Sequence, residues 1–186
     1  MHTAWIPHRP GDREKEVLFM ENTCAPLPGG LRPVGLRYTP AVKTALDICF
    51  SAHRDQTDKG GLPYVFHPFH LAEQMESEAE ICTALLHDVV EDTAWTLEDL
   101  RRAGIPQASL EAIACLTHDP AVPYLDYVAA LRKNPIARKV KLADLRHNSD
   151  PARLPGGQPD DAAAARLAKY RAAIDLLLSE DPAPLP

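Results

Sequence analysis

From Thr39 onward the apolar positions of this 186-residue chain recur at helical spacing, and Pro and Gly stand between the apolar runs rather than inside them. Thr39-Pro40 reads as an N-cap followed by proline in the first turn. Val42, Ala45, Leu46, Cys49 and Phe50 then carry a helix to about Arg54, where a Gly-Gly-Leu-Pro loop stops it. A second helix is predicted from Pro68 or Phe69 to about Met75, and a third from Ser77/Glu78 through to the pair Glu91-Asp92. Thr96 and Asp99 have the spacing of a capping box for a short fourth helix that Gly104 ends. A fifth opens at Ile105-Pro106 and reaches about Leu116, and a sixth spans Pro123 to Arg132. Asn134-Pro135 starts an amphipathic helix on which Ile136, Val140, Ala143 and Asp144 share a side. The last long helix runs from Asp160 or Asp161 to Leu178, with Ala164, Leu167, Ala168, Tyr170, Ile174, Leu177 and Leu178 as its expected buried stripe. No alternating strand pattern of any length occurs, so the expected fold is an all-α helical bundle. Residues 1–36, rich in Pro, Gly and charge, are expected to form an extended or irregular segment, and residues 37–182 a single domain.

Composition narrows the field of partners. The chain is 45% hydrophobic and 25% charged with a formal net charge of −6, so it has no broad basic surface for a nucleic acid. Cys24, Cys49, Cys82 and Cys115 form no close pair and read as thiols of a reducing compartment. Neither a signal peptide nor a membrane span is expected, which makes the cytoplasm the default location. A homo-oligomer is compatible with this composition.

The chemistry concentrates in Leu85-Leu86-His87-Asp88-Val89-Val90-Glu91-Asp92-Thr93. Charges against an apolar run are costly unless they are paired or bind a metal. On a continuous helix His87 would lie above Glu91 and Asp88 above Asp92, four residues apart. The bland alternative is a helix end with two solvated carboxylates and a core histidine. Two further regions offer ligands: His53 near the end of the first helix, and Asp144 on an otherwise apolar helix face. Two imidazoles and two carboxylates suit Mn, Fe, Co or Zn, and water in the open positions of such an ion becomes a nucleophile.

Several strings together resemble the HD-domain phosphohydrolases, and more closely the alarmone (guanosine tetra- and pentaphosphate) hydrolases of the RelA/SpoT and small-hydrolase kind. They are Ala52-His53-Arg54-Asp55-Gln56, Lys59-Gly60-Gly61-Leu62-Pro63-Tyr64, His67-Pro68, Leu85 through Thr93, and Lys141 through Asn148, all within residues 39–150. The resemblance implies an HD-type helical bundle and one divalent ion, usually manganese, held by His53, His87, Asp88 and Asp144. It implies that Glu91 and Asp92 serve the attacking water, with Glu91 as proton acceptor and Asp92 assisting. The implied reaction removes the 3′-pyrophosphate of an alarmone. Lys59, with Arg138 and Lys141, would neutralise the diphosphates; Tyr64 and Asn148 would contact the nucleoside, and Tyr124 and Tyr127 would line the cleft. His67 reads as a loop anchor outside the ligand set, while His70, His118 and His147 leave a second metal open. The family's usual Arg-Lys is Asp58-Lys59 here, and its usual Gly before Gln56 is Asp55. Replacing a stacking cation by an anion removes a surface for guanine and adds repulsion toward phosphate. That admits adenine alarmones, NADPH as substrate of a phosphatase, or a non-catalytic nucleotide-binding module as alternatives.

Overall fold

A computed structural model describes residues 39–58, 60–153 and 161–179; the expectations for residues 1–36, Cys24 and Lys59 fall outside the described residues. The Thr39 hydroxyl accepts the Val42 N–H at 3.2 Å and Pro40 occupies the first turn, launching α1 (Pro40–Ala52), which buries Val42, Ala45, Ile48 and Cys49. α2 (Phe66–Ala72) starts two or three residues before the prediction and buries His67, Pro68, Leu71 and Ala72. A full capping box of Ser77 with Glu80 starts α3 (Glu78–Leu86), whose residues Ile81 through Leu86 are all buried. This helix is the hub, packed against α1, α2, α6 (Gln107–Leu116) and α8 (Pro135–Asn148). The expected Thr96–Asp99 capping box is present at the start of α5 (Leu97–Arg102). Asn134 caps α8 by accepting the N–H groups of Ile136 and Ala137, both at 3.0 Å. With α7 (Tyr124–Leu131) and α9 (Asp161–Leu178), the described residues make an all-helical bundle whose sole β feature is an isolated bridge between Thr57 and Pro63.

Two expectations are corrected. The third helix does not run unbroken to Asp92. α3 ends at Leu86, His87 and Asp88 form a turn, and a separate α4 (Val89–Asp92) follows. The Ala84 carbonyl, which a continuing helix would offer to the Asp88 N–H, is bonded by His87 Nδ1 at 2.8 Å. The side chain that carries the chemistry thus competes with the backbone at the break. The buried face of α9 is also rotated. Ala163, Ala173 and Leu177 are buried with Tyr170 and Ile174 beside them, while Ala164, Ala168 and Leu178 are exposed. An alanine-rich first half carries little phase information, so packing on α7 and α8 sets the rotation.

Cys49 and Cys82 are buried free thiols, each pushed up to about 12 by burial, and Cys115 is half-buried and free. Among the described residues no helix is long and apolar enough to cross a membrane.

Candidate metal centre

Three segments bring metal-ligating side chains together: the start of α2, the turn after α3, and the middle of α8. His67, His87 and Asp88 each offer a ligand atom within 4.8 Å of the others. Asp144 joins through His67, whose Nε2 lies 3.2 Å from Asp144 Oδ1, and His87 Nε2 lies 3.0 Å from Asp88 Oδ2. Three of the four are almost fully buried: His67 at 3%, His87 at 2% and Asp144 at 5% exposure.

The hydrogen bonds show whether these groups suit a cation. Because His87 Nδ1 donates to the Ala84 carbonyl, Nε2 of the neutral ring is left with its lone pair. That Nε2 is buried without a hydrogen-bond partner, with Asp88 Oδ2 3.0 Å away. A buried, unpartnered imidazole nitrogen beside two carboxylates is the donor set of a divalent-ion site, and the residues fit one. The electrostatics agree. Burial would lower His87, but Asp88 and then Asp144 carry it up to about 9. Burial would raise Asp88, and His87 brings it down to about 2. Burial likewise opposes ionisation of Asp144, yet Lys141 and His67 hold it far below the carboxylate range. The site demands positive charge between its acids.

An outer ring of bonds orients the carboxylates. The Tyr64 hydroxyl donates to Asp88 Oδ2, Lys141 Nζ lies 2.9 Å from Asp144 Oδ2, and Asn148 Nδ2 donates to Asp144 Oδ1. Burial and then Asp88 push the Tyr64 hydroxyl far above its ordinary value, so it stays a donor. Tyr64, Lys141 and Asn148 were expected to meet substrate; here each is engaged with a site carboxylate. Arg138 donates to the Leu177 carbonyl at 2.7 Å and lines a basic cavity of about 440 Å³ with Lys133 and Lys139, to which no metal-centre side chain contributes. The Tyr124 hydroxyl is buried without a partner, Lys169 lies 4.5 Å over its ring, and Tyr127 is a core residue bonded to the Leu116 carbonyl.

Beside the expected ligands stands a further histidine, His67. His53 is buried, its ring packs on Tyr64 at 4.9 Å between centroids, its Nδ1 donates to Gln56 Oε1 at 2.8 Å, and its Nε2 is buried with no hydrogen-bond partner, as in His87. The nitrogen that shares the cluster with His87 and Asp88 is on His67, expected to be an anchor. One signal for it was present: His67 stands four residues before Leu71 on the buried face of α2. His53 stands in the same relation to Cys49, so the signal could not choose.

Glu91 and Asp92 are exposed at the mouth. Glu91 Oε2 accepts the His118 N–H at 3.2 Å, and the Asp92 carboxyl is raised by burial and by its neighbours Asp88 and Glu91. His118 Nε2 bonds the Val122 carbonyl at 2.8 Å; His70 stacks on His147 at 4.2 Å and His147 on His67 at 4.9 Å. Burial, then Arg153, hold His147 down at about 4. The repulsion expected of Asp58 is largely cancelled, since Arg153 Nη2 lies 3.0 Å from its Oδ2.

No protein-family model matches the chain. It is 34% identical over 119 residues to the GTP pyrophosphokinase of Streptomyces coelicolor, covering 58% of this chain and 14% of that protein. It is 34% identical over 117 residues to the human guanosine-3′,5′-bis(diphosphate) 3′-pyrophosphohydrolase MESH1, covering 56% of this chain and 65% of that one. The chain thus spans about a seventh of the bacterial protein's length and just under two thirds of the human protein's. Among solved structures, a metazoan ortholog of SpoT, described as hydrolysing ppGpp and acting in starvation responses, superimposes with a TM-score of 0.62. That match has 23% identity and covers 77% of this chain and 89% of the other. The chain carries an HD-domain-like, all-helical fold related to the RelA/SpoT hydrolase domain, built around a His/His/Asp cluster able to hold a metal ion.

Proposed function

We propose that this chain is a metal-dependent 3′-pyrophosphohydrolase of alarmones, (p)ppGpp first and (p)ppApp as its adenine counterpart, acting in the cytoplasm with manganese. One observation carries the reading: nitrogen and carboxylate ligand atoms from separate segments lie within 4.8 Å of one another, and the Nε2 atoms of His53 and His87 are buried without a hydrogen-bond partner. Similarity to the human and bacterial proteins supplies the substrate class.

His53, His87, Asp88 and Asp144 would hold the ion, with His67 against Asp144. When bound, it supplies a field that polarises a phosphoryl oxygen and acidifies water. Tyr64, Lys141 and Asn148 fix the carboxylate orientations from behind. Glu91, exposed and held by the His118 N–H, accepts the proton of the attacking water, and Asp92 with its raised carboxyl assists. The water oxygen bonds to the phosphorus next to the 3′-oxygen as that P–O bond breaks, and the proton taken by Glu91 passes on to the 3′-oxygen, leaving the 5′-phosphorylated nucleoside and pyrophosphate. Asp58, neutralised by Arg153, presents little free negative charge against the diphosphates of guanosine substrates.

The test is a manganese-supplemented assay of guanosine and adenosine tetraphosphates and NADPH that resolves pyrophosphate from orthophosphate. Pyrophosphate is expected from an alarmone, and Glu91→Gln should bind manganese yet lose most turnover. Orthophosphate from NADPH with both alarmones intact would overturn the reading.

A further inference from the structure

We propose that Lys169, on α9, is a substrate-binding residue of the metal centre: its ammonium group takes phosphates of the nucleotide, on a platform made by Tyr124. This rests on the reaction proposed above. A nucleoside bis(diphosphate) has to be held beside Asp88, Glu91, Asp92 and Asp144, in a chain of net charge −6. A single divalent ion offsets only part of that negative charge, so the protein must bring further cations. Among the described residues, the cations first expected in this role are engaged elsewhere. Lys141 Nζ lies 2.9 Å from Asp144 Oδ2, and Arg138 donates to the Leu177 carbonyl in a cavity to which the metal-centre side chains do not contribute. Arg153 Nη2 is likewise tied to Asp58 Oδ2 at 3.0 Å.

Lys169 is held differently. Among the described residues its Nζ meets aromatic faces and no carboxylate, 4.5 Å over the Tyr124 ring and 5.7 Å over that of Tyr170. Cation–π contacts of this kind fix an ammonium group without using up its three donors. Tyr124 links the cation to the centre from two directions. Its ring lies 6.0 Å from that of His118, whose backbone N–H holds Glu91. It lies 6.0 Å from that of Tyr127, over which Lys141 Nζ stands at 5.8 Å. Burial raises the Tyr124 hydroxyl above its ordinary value, Lys141 opposes, and Asp144 and Glu91 add to the rise. That hydroxyl therefore stays a donor, and it is buried without a hydrogen-bond partner. An acceptor brought by the ligand, a phosphate oxygen or a water ordered on it, would satisfy the donor beside the cation.

The experiment compares Lys169→Met, Lys169→Glu and Lys169→Arg with wild type in the full chain. Manganese-supplemented turnover of guanosine tetraphosphate gives KM and kcat. Calorimetry gives the affinity for manganese and, on the manganese-loaded protein, for inorganic pyrophosphate. Met keeps an unbranched apolar stem on Tyr124 and loses the charge. It should raise KM by about tenfold with kcat and manganese affinity unchanged, the mark of a contact made equally in the ground and transition states. Glu should raise KM further, while Arg, which keeps the charge and stacks on aromatic faces, should stay close to wild type. Pyrophosphate affinity should fall in the same order. Unchanged KM and pyrophosphate affinity in Met and Glu overturn the proposal, and so does a loss in Met that Arg shares in full, which is a packing effect. Wild-type protein that releases pyrophosphate from no alarmone is a failure of the proposed reaction. The pyrophosphate titration then decides the anion site by itself: weaker binding in Glu supports it, and equal or undetectable binding overturns it.

Discussion

His53 and His67 bracket the same tyrosine and are almost equally hidden, at 1% and 3% exposure, with ring centroids 4.9 and 5.6 Å from that of Tyr64. Among the described residues His67 offers a ligand atom within 4.8 Å of His87 and Asp88, while the Nε2 of His53 is buried without a hydrogen-bond partner. The contrast lies in what holds each ring from behind. His53 Nδ1 is tied to the neutral amide of Gln56, which reaches on to the Asp92 carbonyl at 3.3 Å. His67 is backed by His147 and the charged pair Arg153–Asp58. Burial and aromatic neighbours are therefore poor guides to which histidine serves an ion. The near ring nitrogens differ instead: that of His53 has no hydrogen-bond partner, while that of His67 lies 3.2 Å from Asp144 Oδ1.

The largest effect should come from the two histidines themselves. His53→Ala is expected to reduce manganese affinity by more than the roughly 10–100-fold that loss of an outer partner costs, while His67→Ala, which removes a neighbour of Asp144, stays within that range. Calorimetric titration of both variants checks this, and a larger loss in His67→Ala would put His67 in the ligand set instead. Tyr64→Phe, which touches both rings but deletes only the hydroxyl on Asp88, should weaken manganese by about tenfold without changing the fold seen by circular dichroism. Undiminished affinity there would reduce Tyr64 to a packing residue.

The smallest effect should separate the charged backing from the neutral one by pH. Burial pushes the Asp58 carboxyl up, but Arg153 and the Leu62 and Gly60 N–H groups outweigh it and leave the folded value below the ordinary 3.8. A depressed carboxylate contributes stability that is present above the unfolded value and lost as pH falls through the folded one. Asp58→Asn should accordingly lower Tm near neutral pH, by an amount equivalent to about 1 kcal/mol or less, and match wild type once both are well below pH 3.8. Gln56→Ala, on the His53 side, has no carboxylate to titrate and should shift Tm by the same amount across that range. A Tm gap for Asp58→Asn that persists in acid would show that the Arg153 pair adds nothing beyond packing.

Much of this molecule can be read from local pattern. Thr39-Pro40, Ser77 with Glu80, Thr96 with Asp99 and Asn134-Pro135 each place a cap within four residues of the groups it satisfies, so those helix starts are written in short stretches of chain. His87-Asp88 and Asp144 stand out because charge amid apolar neighbours needs a reason. The break at His87 was not legible, because it depends on a ring nitrogen reaching back to the Ala84 carbonyl in a rotamer that packing selects. Arg153 was not legible either, since its partners Asp58 and Asn148 lie on separate elements, 95 and 5 residues away along the chain.

The amino-acid order alone determined that the chain is helical, where most helices begin, and which residue types could gather an ion. Those are consequences of periodicity and hydrogen bonds that close within a turn or two. Only the tertiary structure decided that His67 joins His87 and Asp88, how α9 is rotated, and that Asp58 faces Arg153. A ligand set needs both ends of each side chain directed at once. The groups that direct them are brought together by packing across long sequence separations, where spacing along the chain carries no information.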